Sequence, residues 1–152
     1  MSGAGLAVPV AVLAVGLAAA NPDSAALTQL GLAGEWAIDC QKPLGDDNPH
    51  VTFAAPGDQP PQYIESGAQG PVGAGFISNV RALSGGQIAL TLTVTENFGG
   101  QSSTIVMNNV VLKDGNRFRF FEVKTGDGRV SVSGGVEKTK GEATKWLQKC
   151  GG

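Results

Sequence analysis

One histidine, one tyrosine and two cysteines are all this 152-residue chain has of those residues, and its charges are sparse, 11 basic against 13 acidic. Each shortage excludes something. With His50 as the only histidine, a zinc site would have to draw its remaining protein ligands from carboxylates. No G-x-S-x-G elbow is present, so nothing local marks a serine nucleophile. The cysteines lie far apart in the chain, which rules out a C-x-x-C redox pair. No basic run or stripe offers itself to nucleic acid or to an anionic membrane surface. Gly73-Ala74-Gly75 does not sit between a strand and a helix, so it fails as a phosphate-binding loop.

One apolar run stands apart from the rest. Leu6 to Leu17 is uncharged and is followed by Ala18-Ala19-Ala20 and then Asn21-Pro22-Asp23. It is short for a bilayer span of about 20 residues, and it has the form of a signal peptide's apolar core with a small-residue cleavage site after Ala20. No later segment is apolar enough to span. We therefore expect a leader over residues 1–20, a short helical trunk over 21–33 and one β domain over 34–152, located in the periplasm or outside the cell. In such a compartment Cys40 and Cys150, at the two ends of the β-rich part, read as one disulfide. Without the leader 132 residues remain, carrying every charged side chain of the sequence and enough for one domain.

Period-two alternation dominates that remainder. Gln87 to Thr95 puts Ile88, Leu90, Leu92 and Val94 on one face and Ala89 with three threonines on the other. Less regular runs lie at Glu35–Cys40, His50–Ala54, Gln62–Glu65, Gly75–Leu83, Ser103–Leu112, Arg117–Lys124, Arg129–Val136 and Thr144–Lys149. Between them lie turn residues such as Ser84-Gly85-Gly86, Asn97 to Gln101, Lys113 to Asn116 and Gly126-Asp127-Gly128. Only Ser24 to Leu30 looks helical, with Asp23 or Ser24 as N-cap. The expected fold is all-β, a small antiparallel barrel of eight or nine strands in up-and-down order, with a sandwich as the alternative. Two stretches break the pattern. Between Cys40 and Tyr63 stand five of the eight prolines, which predict a stiff surface loop over most of that stretch. Ser66 to Gly75, rich in glycine and other small residues, predicts a mobile connection.

Three resemblances follow from short motifs. Gly34-Glu35-Trp36 after a helix-like segment resembles the G-x-W start of lipocalins and other calycin barrels, in which the tryptophan plugs one end. The chain departs from that pattern in lacking a T-D-Y motif and any arginine beyond Arg129 to cover the tryptophan. Leu32 to Cys40, with Lys42-Pro43, Asn48-Pro49-His50 and Trp146 to Cys150, resembles a group of small exported alphaproteobacterial proteins. That group shares a G-x-W-x-x-D-C opening and a W-x-x-x-C close. The resemblance implies paired cysteines and an envelope location but no chemistry. Ser24-Ala25-Ala26 before Leu32 to Trp36 is similar to the start of periplasmic inhibitors of zinc metalloproteases, eight-stranded barrels whose N-terminal trunk enters the protease cleft.

The candidate functional residues are few. Asp39, Asp46, Asp47, Asn48 and His50 could ligate a divalent metal, but Asp-Asp-Asn-Pro is first of all turn chemistry, and we expect no metal and no cofactor. Arg117, Arg119 and Arg129 could form a small cationic patch; exposed pairing with Glu122 or Asp127 is the simpler expectation. Phe53, Phe76, Phe118, Phe120, Phe121 and Trp146 are expected in the core. Should the barrel be hollow, Trp36, Leu90, Leu92, Met107, Phe118 and Phe120 are the expected ligand-binding wall, with Val94 beside them. The expected function is non-catalytic binding of a small apolar ligand, as a carrier or sensor in the bacterial envelope. The alternative is a protein-interaction module, either a protease inhibitor using Asn21 to Leu32 or an envelope structural factor using the Gln41 to Gln62 loop.

Overall fold

Alternation becomes ten strands and one helix in the computed structural model, which describes residues 19–98 and 100–151. The leader expected over residues 1–20 thus falls, except for Ala19 and Ala20, outside the described residues. Helix α1 (Pro22–Gln29) precedes β1 (Gly34–Ala37), β2 (His50–Ala54), β3 (Gln62–Gly67), β4 (Gly70–Ala82), β5 (Gln87–Phe98) and β6 (Gln101–Asp114). Then come β7 (Arg117–Thr125), β8 (Val130–Ser133), β9 (Val136–Glu137) and β10 (Leu147–Cys150). Each strand pairs antiparallel with its sequence neighbour up to β9, and β10 lies between β1 and β7. The result is a closed eight-stranded barrel with β8 and β9 as an outer hairpin, not a sandwich.

Closure depends on the four residues of β10. Leu147 and Gln148 pair with Phe118 and Arg117 of β7, while Gln148, Lys149 and Cys150 pair with Ala37, Trp36 and Glu35 of β1. The chain bends away after Ala37, and Cys40 comes back over the end of β10 to form the disulfide with Cys150, at a Cα–Cα distance of 5.4 Å. Because β10 occupies only the start of β7, the second half of β7 pairs with β8 instead, Val123 opposite Val132. A disulfide of this kind belongs to an oxidising, non-cytoplasmic compartment.

One end of the barrel is filled. Leu27, Leu32, Trp36, Phe53 and Phe118 are all at 1% exposure or less. Phe118 meets Trp36, Phe53 and Phe120 edge to face, with ring centroids 5.0, 5.5 and 5.8 Å apart, geometries that add to simple burial. The Trp36 Nε1–H donates to the Leu32 carbonyl (2.8 Å), so the indole is buried without an unpaired donor. Lys149 Nζ lies over the Trp36 ring, 5.5 Å from its centroid.

Helix α1 caps this end and is bonded to it. Asn21, not Asp23 or Ser24, is the N-cap: its Oδ1 accepts from the Asp23 and Ser24 amides, and Pro22 fits the first turn because its missing N–H would have had no partner there. Asp23 is then free to accept from the Val80 amide (2.8 Å), which the bulge in β4 between Ser78 and Arg81 has released from the ladder. The Ser24 hydroxyl donates to the Gln59 carbonyl, 2.7 Å away.

Several expectations need correcting. Ser66 to Gly75 is no loose connection: Gly67 and Gly70 close a tight hairpin, and β4 already begins at Gly70. A Cβ at Gly75 would lie 2.4 Å from the Thr93 carbonyl oxygen, so glycine lets β4 and β5 approach there. The run Arg129–Val136 is split into β8 and β9 by a turn at Gly134-Gly135, whose φ values of 60 and 75° suit the two-residue hairpin. The Pro-rich stretch is two loops, because β2 divides it, and the second is bonded to the helix segment through the Gly57 and Gln59 carbonyls. Phe76 is 56% exposed, since Ile77 takes the inward position on β4. Trp146 lies on the outside, beneath the Arg117 and Arg119 guanidiniums at 4.5 and 4.9 Å.

Replacing both cysteines by serine is expected to cost about 4 to 5 kcal/mol of stability in the chain-entropy account of so large a closed loop. Urea unfolding of the native and variant chains side by side measures this, and coincident midpoints would contradict it.

Candidate functional site

Above the aromatic plug the inward positions become smaller, and space is left. Going up β5 the chain offers Leu92 and Val94; on β6, Met107 and Asn109; on β7, Phe120 and Val123; on β4, Val72 and Gly73. These residues line a cavity of about 510 Å³ together with Tyr63 and Glu65 of β3, Ile38 and Pro49 of the loop after β1, and Val132, Glu137 and Thr144 around the outer hairpin. A volume of that size is in the range of small-molecule sites, and the lining is mostly apolar with a few convergent polar groups.

Of the wall foreseen from the sequence, Leu92, Met107 and Phe120 stand together in this lining, as does Val94. Trp36, Leu90 and Phe118 are buried in the core and do not line the cavity. Tyr63, Glu65 and Asn109 were not foreseen. Their signal was nevertheless present: Tyr63 and Glu65 alternate onto one face of a short strand, and Asn109 continues the inward alternation of Met107.

The polar groups are arranged in a definite way. Tyr63 is 6% exposed and its hydroxyl donates to Glu65 Oε2 at 2.9 Å. Burial pushes the Tyr63 phenol well above its usual 10.0, and the charge and hydrogen bond of Glu65 push in the same direction, so Tyr63 stays a neutral donor. Asn109 is 3% exposed, and its Nδ2 reaches only the Met107 carbonyl at 3.5 Å. A carbonyl can only accept, so it is the amide nitrogen that faces it. Neither Glu65 Oε1 nor Asn109 Oδ1 accepts a hydrogen bond from a described residue.

The other candidates of the sequence find structural roles. Asn48, buried, accepts from the Asp39 amide and donates to the carbonyls of Asp39, Lys42 and Pro43, so it organises the loop that carries Cys40. His50 Nδ1 meets Glu35 Oε1 at 2.5 Å, and no described hydroxyl or thiol is bonded to the ring. Among the described residues no three His, Cys, Asp or Glu side chains converge as a metal site. Arg117 pairs with Asp114 and Arg129 with Asp127, where hydrogen bonds, first from Thr125, lower the carboxyl to about 2. Residues 21–32 are held against the barrel by the bonds of α1 described above. No helix among the described residues is long and apolar enough to cross a membrane.

No protein-family model, no curated protein and no solved structure matches the chain.

Since Tyr63 is the only tyrosine, its ionisation can be followed alone by near-ultraviolet absorbance. In the native chain phenolate should form only well above pH 10.0, and Glu65→Gln should bring the midpoint down while leaving it raised, because burial is the larger cause. The sign for stability follows: above about pH 10 the unfolded chain holds fewer protons than the native one, so stability falls as pH rises, and falls less in Tyr63→Phe. An ordinary midpoint in the native chain would contradict the burial.

Proposed function

We propose that this chain is an exported, non-catalytic binding protein that holds a small, largely apolar ligand inside its barrel and acts as a carrier or sensor in the bacterial envelope. The observation that carries this reading is the cavity of about 510 Å³ walled by Leu92, Val94, Met107, Phe120 and Val123. Burying an apolar molecule against those side chains gains about 25 cal/mol per Å² of surface removed from water. A preformed site of this kind does not have to order itself on binding. The apolar run at Leu6 to Leu17 and the Cys40–Cys150 disulfide support export to the periplasm or beyond.

Titration with the neutral, environment-sensitive dye N-phenyl-1-naphthylamine tests the reading. Saturable binding at one site is expected. Met107→Trp, which fills the cavity, should weaken it by about tenfold or more, whereas Val106→Trp, on the outer face of the same strand, should leave it nearly unchanged. Equal binding by both variants would place the dye elsewhere and contradict the proposal.

A further inference from the structure

We infer that the ligand is an amphiphilic amine whose ammonium group pairs with the Glu65 carboxylate while its apolar body lies against Leu92, Met107 and Phe120. This rests on the cavity reading and adds the chemistry of the ligand's polar end. A largely apolar ligand would need only an apolar wall, yet this lining carries the carboxylate of Glu65 and the amide of Asn109, each with an acceptor oxygen bonded to no described residue. Glu65 is only half-buried, so its free oxygen is open to a ligand as well as to water.

The free valences are lopsided. Tyr63 already directs its hydroxyl hydrogen to Glu65 Oε2, so it holds the carboxylate in place and offers the ligand no proton. Glu65 Oε1 and Asn109 Oδ1 are left as acceptors, and the remaining hydrogen of Asn109 Nδ2 is the one donor these three side chains have left. The other charged groups at the cavity are Glu137 and Lys145 at the rim. Glu137 is paired with Lys140 at 3.3 Å, and Lys145 is exposed to solvent. The interior therefore presents one negative charge and two acceptors. An ammonium group complements the Glu65 carboxylate through a charge-assisted bond, about twice as strong as a neutral one. A carboxylate or phosphate head would be repelled by Glu65.

Competition against the bound neutral dye, on the full chain at neutral pH, decides the matter with decylammonium and decanoate, which share one alkyl length and differ in charge. Decylammonium should displace the dye at a concentration about tenfold or more below that of decanoate, as a hydrogen bond to a charged group implies. Glu65→Gln should remove most of that preference while the dye still binds, and dye binding shows that the variant is folded. Tyr63→Phe should retain the preference, because it leaves Glu65 charged. If native chain binds the dye but is displaced equally well by both competitors, the amine assignment is overturned and the cavity reading stands. If decanoate competes better, the charge logic is wrong and Lys145 governs the site. If native chain does not bind the dye, the cavity reading itself fails.

Discussion

The structure depends on a closure made by very little chain. β10 must satisfy β7 with its first two residues and β1 with its last three, and Cys150 at its end is tied to Cys40. Four residues of ladder would fray easily alone, since terminal segments open at small cost in free energy. The disulfide restrains the unfolded chain and keeps the last strand in register beside the first. Trp36 profits directly, because Lys149, its partner in the ladder, also lies over its ring. Closure also explains the outer hairpin: with β10 occupying only Arg117 and Phe118, the far half of β7 is free to pair with β8.

Side-chain volume then divides the barrel into a solid half and a hollow half. Where Trp36, Phe53 and Phe118 point inward, with Leu27 and Leu32 pressed under them, no space remains. Where Gly73, Val94 and Val123 occupy inward positions, the same circumference leaves a half-open cavity. The eight-stranded diameter is near the limit at which side chains either fill the interior or leave room for one small ligand, so the choice is made locally by residue size. The helix belongs to the solid half. The bulge at Ser78 to Arg81 and the acceptor of Asp23 fit one another, which ties the helix to the strand beneath it.

Much of this was legible in the residues. The clean alternation of Ile88 to Val94 predicts its strand and its buried face, and the cysteine positions predict the disulfide. Other features were hidden for physical reasons. Glycine-rich Ser66 to Gly75 reads as loose because local propensity penalises glycine in strands, whereas at Gly75 tertiary approach demands it. Trp146 reads as core from its size, but two arginines cover it from outside. Leu90 and Phe118 share faces with true lining residues; which of them meet the cavity depends on their height in the barrel, and alternation carries no information about height. The polar lining could have been found by asking why Glu65 and Asn109 occupy inward positions at all.

The central claim is that a disulfide-closed barrel holds one small molecule in its hollow half. Native mass spectrometry of the protein released gently from its own cells measures both parts at once. The account predicts a single small-molecule adduct on a chain lighter by the two thiol hydrogens. A chain that retains its thiol hydrogens and carries no adduct in any preparation would contradict it.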